Sequence, residues 1–99
     1  MIKETIARAE DYRLNSTATI EELEIKLMHN KGTVLVYGDY ILVSGYFYSP
    51  NYHHYFAALY KFIGPNHSCE GQAELVDVSD DTFIDDGHAI AWAMSKANV

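Results

Sequence analysis

Carboxylates are the most concentrated reactive groups in this chain, and they cluster late in the sequence. The stretch from position 70 to 86 reads E-G-Q-A-E-L-V-D-V-S-D-D-T-F-I-D-D and contains no lysine or arginine. Its seven acids are Glu70, Glu74, Asp77, Asp80, Asp81, Asp85 and Asp86. Crowded carboxylates create a negative field that steers a basic partner and excludes competitors. We predict that they bind a basic protein surface; the alternative is a solvated face whose aspartates serve turns and helix caps.

Tyrosine is the second concentrated residue type, with seven of the eight tyrosines between positions 37 and 60. Tyrosine is favoured at protein interfaces because it adds large contact area at low entropic cost. We therefore predict that four of them anchor the same partner: Tyr40, Tyr46, Tyr48 and Tyr52. Two alternatives are ordinary sheet packing beneath a helix and a stacking platform for a small ligand.

Histidine and cysteine give weaker chemical signals. His53 and His54 are adjacent, so in a strand they would point to opposite faces and could not share one ion. His67, Cys69 and His88 could supply zinc ligands, but no paired metal-ligand spacing supports such a site. The sequence contains neither a nucleophile motif nor a phosphate-binding glycine loop. We predict no metal, no cofactor and no enzymatic activity, with a small enzyme of unknown class as the remaining alternative.

Length and charge limit the possible classes of protein. The 99 residues predict one domain spanning positions 1–99. The net charge is −7. Residues 62–99 contribute −6 of this charge, because they contain seven acids and only one basic residue, Lys96. Binding to nucleic acid phosphates or to an anionic membrane requires lysine and arginine on the contact face, so we predict neither. The charged first 20 residues and the single cysteine predict a cytoplasmic protein.

The first half of the chain predicts two helices and a hairpin. Apolar residues recur at helical spacing from position 2 to 12. Positions 15–17 are expected to be a break. Thr19 and Glu22 then form a capping box at the start of a second helix, which ends near Gly32. Gly38-Asp39 predicts a two-residue type II′ turn that pairs Tyr37 with Tyr40. One face of this hairpin is then aliphatic and the other tyrosine-rich; we predict that the aliphatic face forms the core and that the tyrosine face is partly covered and partly wet.

The second half predicts further strands and a closing helix. Positions 53–63 suit either a helix between Pro50 and Gly64 or a strand, and their tyrosine and phenylalanine content favours a strand. Positions 71–78 predict a fourth strand, and Asp85 or Asp86 can cap a C-terminal helix. The predicted fold is α+β: a three- to four-stranded antiparallel meander with two N-terminal helices and one C-terminal helix, all segregated to one face or end of the sheet.

Together these patterns predict a small acidic accessory protein that inhibits by occluding a basic, nucleic-acid-binding surface of a partner protein. Phage or immunity systems are the expected setting on the grounds of size and charge. A small-ligand or sensor module on the tyrosine face is the alternative function. Self-association through an exposed sheet edge or the tyrosine face is also expected to be possible.

Overall fold

A computed structural model describes residues 9–10, 12–27, 32–48, 53–80 and 82–98 of the chain. These residues form five strands and two helices. The strands are β1 (Thr17–Ala18), β2 (Thr33–Tyr37), β3 (Tyr40–Tyr48), β4 (His53–Phe62) and β5 (Ala73–Val78). The helices are α1 (Ile20–Leu27) and α2 (Asp86–Ala97). Within the described residues, no helix has the length and apolar character that a membrane crossing requires.

The strands form one antiparallel sheet in the order β1-β5-β4-β3-β2. The predicted meander from β2 to β5 and the α+β class are confirmed, including strand rather than helix at positions 53–62. The predicted count of three to four strands is wrong. Thr17, expected to belong to a break, and the following Ala18 pair with Glu74 and Ala73 as a fifth strand. A two-residue strand is too short to show alternation, so no sequence pattern marks it.

The β2–β3 hairpin has the predicted register. Tyr37 lies opposite Tyr40 and Val36 opposite Ile41 across the turn at Gly38-Asp39. Gly38 has a φ of 61°. Among the described non-glycine residues, only Arg13 has a positive φ. Asp39 therefore has negative φ, as the second central residue of a type II′ turn requires.

Both helix caps follow from local sequence. At the start of α1, the backbone N–H of Glu22 donates to Thr19 Oγ1 and that of Thr19 donates to Glu22 Oε1, which confirms the capping box. Asp85 is the N-cap of α2. The helix predicted over positions 2–12 lies mostly outside the described residues; Ala9 and Glu10 at its end are helical, and Ala9 is buried.

The two faces of the sheet are covered by different helices. Leu23 and Leu27 of α1 belong to one buried cluster with Ile41 of β3 and residues of β4 and β5. Leu42, Leu59 and Ala93 form a second cluster on the opposite face, beneath α2. The expectation that the helices segregate to one face or end is therefore wrong, whereas the tyrosine-rich face is partly covered, as predicted. Because β3 and β4 are apolar in both alternating registers, they need cover on both sides.

Candidate protein-docking surface

The described members of the predicted acidic stretch lie along β5 and beyond both of its ends. Glu70 lies in the β4–β5 connection, at the end that holds the β2–β3 turn, where the Phe62 backbone N–H donates to the Asp39 carbonyl oxygen. Asp80 and Asp85 follow β5 at the other end. Six residues of β5 separate the ends, which is about 20 Å of extended chain. The structure therefore does not gather the acids into one patch.

The acids of β5 and of the first turn of α2 have different neighbours in the fold. Glu74 lies opposite Lys61 in the sheet register, a basic neighbour for its exposed carboxylate. The half-buried Asp77 accepts a hydrogen bond from the backbone N–H of Val78 at 2.8 Å. Asp86 accepts from Thr33 Oγ1 at 2.8 Å and from the buried hydroxyl of Ser44. Asp81 lies outside the described residues.

Asp86 has a structural task that the sequence did not reveal. Its two hydrogen bonds join the first turn of α2 to β2 and β3 across the sheet face. At the other end of the helix, the Tyr37 hydroxyl donates to Asn98 Oδ1 at 2.9 Å. These contacts hold α2 over the sheet from end to end and fix the position of the residues that precede the helix.

The predicted tyrosines are also separated. Tyr40 starts β3 at the turn end, half-buried, with the Lys61 ammonium 5.7 Å from its ring centroid. Tyr46 lies near the other end of β3 and packs edge-on against Tyr55, with 5.4 Å between the ring centroids. The backbone of Tyr48 pairs with that of His53, while its side chain and all of Tyr52 lie outside the described residues.

An aromatic row lies beside the exposed aspartates. Tyr46 pairs with Tyr55 across β3 and β4, and Tyr55 in turn pairs with Phe83 through reciprocal backbone hydrogen bonds of 2.7 and 2.8 Å. Directly opposite residues of antiparallel chains share a face, so the three rings form a row across the sheet. Phe83 also contacts Trp92 of α2, at 6.5 Å between ring centroids. All four rings are half-buried.

Ile84 is the most exposed large apolar side chain described, with 76% of its surface accessible. It stands between Phe83 of the aromatic row and Asp85, and the exposed Asp80 belongs to the same β5–α2 connection. We call this set the acid–aromatic surface, and its members are Tyr46, Tyr55, Asp80, Phe83, Ile84 and Asp85. Sequence reasoning missed Tyr55, Phe83 and Ile84. A signal was available, since an apolar pair inside a run of aspartates is unusual for a purely solvated segment.

Asp85 of this surface accepts hydrogen bonds from His88, in the first turn of α2. The His88 backbone N–H donates to Asp85 Oδ1 at 2.8 Å, and His88 Nδ1 lies 2.7 Å from the same oxygen. These hydrogen bonds, led by the backbone one, lower the pKa of Asp85 below its ordinary value of 3.8. A lowered pKa means that the folded state favours the negatively charged carboxylate.

The pKa shift of Asp85 predicts an acid-dependent contribution to stability. The folded state favours the carboxylate form of Asp85. Its contribution to the free energy of unfolding is therefore fully present above about pH 4, the ordinary pKa of an aspartate in an unfolded chain. This contribution is lost as the pH falls through the lower pKa that Asp85 has in the folded state. We expect the melting temperature of the native chain to exceed that of Asp85→Asn above pH 4 and to converge with it towards pH 2. A difference that stayed constant from pH 6 to pH 2 would contradict this assignment.

The remaining titratable candidates do not come together. The His67 ring stacks on that of Phe62, with 4.3 Å between ring centroids, and His67 Nε2 lies 3.7 Å from Asp39 Oδ1 at the turn end of the sheet. His88 lies at the opposite end, beside Asp85. No group of three or more histidine, cysteine, aspartate or glutamate residues within the described ranges is arranged to hold a metal ion. Cys69 is exposed on the β4–β5 connection.

Comparison with known families gives one result. Residues 14–97 match the family described as Nucleotide modification associated domain 4. The chain belongs to this family. The match extends from the buried Leu14 to the last residue of α2, so it includes both helices and all five strands. No curated protein and no solved structure matches the chain.

Proposed function

We propose that the chain is a non-enzymatic accessory protein of a nucleotide modification system, which docks on a basic surface of a partner protein. The observation that carries the proposal is the pairing of exposed aspartates with an exposed isoleucine and an aromatic row on the acid–aromatic surface. Apolar and aromatic side chains beside a charged rim are the composition expected of a protein interface. The family description supports the setting, because it names an association with nucleotide modification.

Charge supports a basic partner rather than nucleic acid itself. Residues 62–99 contain seven acids and Lys96 as their single lysine or arginine. Proteins that act on nucleic acids present basic surfaces to the phosphates, and aspartates can occupy the same positions. The proposed mechanism is therefore occlusion, in which Asp80 and Asp85 attract the basic surface and Ile84 with the aromatic row holds the complex together.

The small-ligand alternative has less support. It requires a free tyrosine-rich sheet face, and α2 covers the centre of that face at Leu42 and Leu59. Of the described residues on this side, those of the aromatic row lie at the margin beyond α2 and are only half-buried. We therefore rank protein docking first.

The test uses the partner that co-purifies with the tagged full-length chain from its source cells. Binding of the purified partner is measured by biolayer interferometry at about 50 and 300 mM salt, for the native chain and for Asp80→Asn/Asp85→Asn. Removing two charges from the docking surface is expected to lower the association rate about tenfold at low salt and to flatten its salt dependence. Ile84→Ser is expected to raise the dissociation rate, since apolar contacts at an interface act mainly on release.

Glu70→Gln/Glu74→Gln is the matched control, because it removes the same charge from the rest of the acidic stretch. We expect it to bind like the native chain. Equal losses in the two double variants would mean that net charge alone matters, and unchanged binding by Asp80→Asn/Asp85→Asn would overturn the proposed surface. Occlusion adds a second readout: the native chain should displace a DNA oligonucleotide from the partner, and the docking-surface variant should not.

A further inference from the structure

Strand β2 is an edge of the sheet that lacks the usual protection against pairing. No described strand lies on its outer side. Natural edge strands are commonly guarded by charged side chains, proline or a bulge. β2 reads Thr-Val-Leu-Val-Tyr and has none of these. By contrast, β5, which β1 covers only at Ala73 and Glu74, carries a register shift opposite Leu59/Tyr60 and the charged Asp77.

The backbone groups of β2 that face outward can be assigned from the hairpin register. The pair that flanks a two-residue turn is hydrogen-bonded, so Tyr37 bonds to Tyr40 and, two residues further, Leu35 bonds to Leu42. Val34 and Val36 belong to the alternate pairs, and their N–H and C=O groups point away from β3. The edge therefore has two outward donors and two outward acceptors that no described residue pairs with.

The side chains of β2 are exposed on both sides of this edge. Leu35 retains 45% of its surface on the α2 side of the sheet, and Val36 retains 47% on the α1 side. A helix or a small ligand would cover one side only. A strand added to the edge continues the sheet and covers both.

We infer that β2 pairs with β2 of a second copy of this chain, antiparallel and about a two-fold axis at Leu35. This register places Val34 opposite Val36 of the other copy, so that both outward pairs are hydrogen-bonded. Leu35 meets its own symmetry mate in the closely spaced, non-bonded pair, and Thr33 lies opposite Tyr37. It is the self-complementary alignment that uses all five residues of the strand.

Charge favours a second copy over a charged partner at this edge. Each chain carries a net charge of −7, yet β2 itself contains no charged side chain, so two copies can approach there without placing like charges in contact. The remaining repulsion between the copies is long-ranged and is screened by salt. Dimerisation should therefore strengthen as salt rises, whereas docking of a basic partner on the acid–aromatic surface should weaken.

The first test is sedimentation equilibrium of the full chain up to about 1 mM, a range suited to a small interface. We expect the mass to rise towards twice the 11.2 kDa of one chain, with a dissociation constant several-fold lower at 500 mM salt than at 50 mM. Leu35→Lys places two lysines face to face at the axis and should weaken the dimer at least tenfold. Ile63→Lys, which adds the same charge at an exposed residue just after β4, should dimerise like the native chain.

Amide hydrogen exchange of the native chain tests the register without any variant. Protection of the Val34 and Val36 amides should increase with protein concentration, while the Leu35 and Tyr37 amides, already bonded to β3, should not change. A chain that stays at 11.2 kDa at every concentration and salt overturns the proposal and leaves the edge open to a strand of another protein. Dimerisation of Leu35→Lys at native affinity, or concentration-dependent protection at other strands only, also overturns it.

Discussion

Replacing Phe56 with alanine is expected to lower the free energy of unfolding by about 3–5 kcal/mol, the usual cost of emptying a buried phenylalanine site. Phe56 is 1% exposed and stacks on Tyr12 with 4.5 Å between ring centroids. Its ring lies over Gly45 on the neighbouring strand, where an added Cβ would come within 2.5 Å of it. Such close packing leaves little room for neighbours to collapse into the cavity.

Urea unfolding monitored by circular dichroism measures this loss. A stability of about 5–15 kcal/mol is typical of a domain, so the variant should unfold at a much lower urea concentration. Phe83→Ala is the matched control: it removes the same side chain from a half-buried position and should cost less than half as much. Equal losses at the two positions would show that Phe56 is not central to the core.

Replacing Asp86 with alanine is expected to cost about 2–3 kcal/mol, although the residue belongs to the acidic stretch that looks solvated in the sequence. The variant removes the acceptor for Thr33 Oγ1 and for the hydroxyl of Ser44, which is fully buried. A buried hydroxyl without its acceptor accounts for part of the cost. Because Asp86 fixes the start of α2, the acid–aromatic surface should also lose order.

Glu74→Ala provides the comparison for Asp86→Ala, since it removes an exposed carboxylate from β5 and should change stability by less than about 0.5 kcal/mol. A double-mutant cycle with Thr33→Val measures the cross-sheet hydrogen bond directly. We expect the double variant to be less destabilised than the sum of the single variants. Additive effects would show that Thr33 and Asp86 do not interact, and an Asp86→Ala variant as stable as Glu74→Ala would contradict the structural role of this carboxylate.

The features that sequence predicted correctly are local ones. The Thr19–Glu22 capping box, the Gly38-Asp39 turn and the choice of Asp85 or Asp86 as a helix cap each depend on residues within a few positions of one another. Once the turn was placed, the alternation of side chains determined the register of β2 and β3. The preference for a strand at positions 53–62 came from aromatic content, and it is confirmed.

The candidate site could be predicted only in part, because it depends on contacts between residues that are far apart in the sequence. Tyr46, Asp80 and Asp85 were predicted, but the contacts that bring Tyr46 towards Phe83 run through Tyr55 of another strand. These contacts join residues 9 and 28 positions apart, and such pairings leave no periodic signal in a single chain. The hydrogen bond between Asp86 and Ser44 leaves no such signal either, so the sequence does not distinguish Asp86 from the exposed aspartates.

By itself, the sequence determined the order of the meander, its main turn, its helix caps and the excess of negative charge, because short-range sterics and hydrogen bonds decide these features. Only the tertiary structure decided that both sheet faces are covered, that the described acids extend from one end of the sheet to the other, and that Asp86 is hydrogen-bonded to the sheet while Ile84 is exposed. Those outcomes depend on which side of the sheet each helix crosses, and that choice is made by packing between segments distant in the chain.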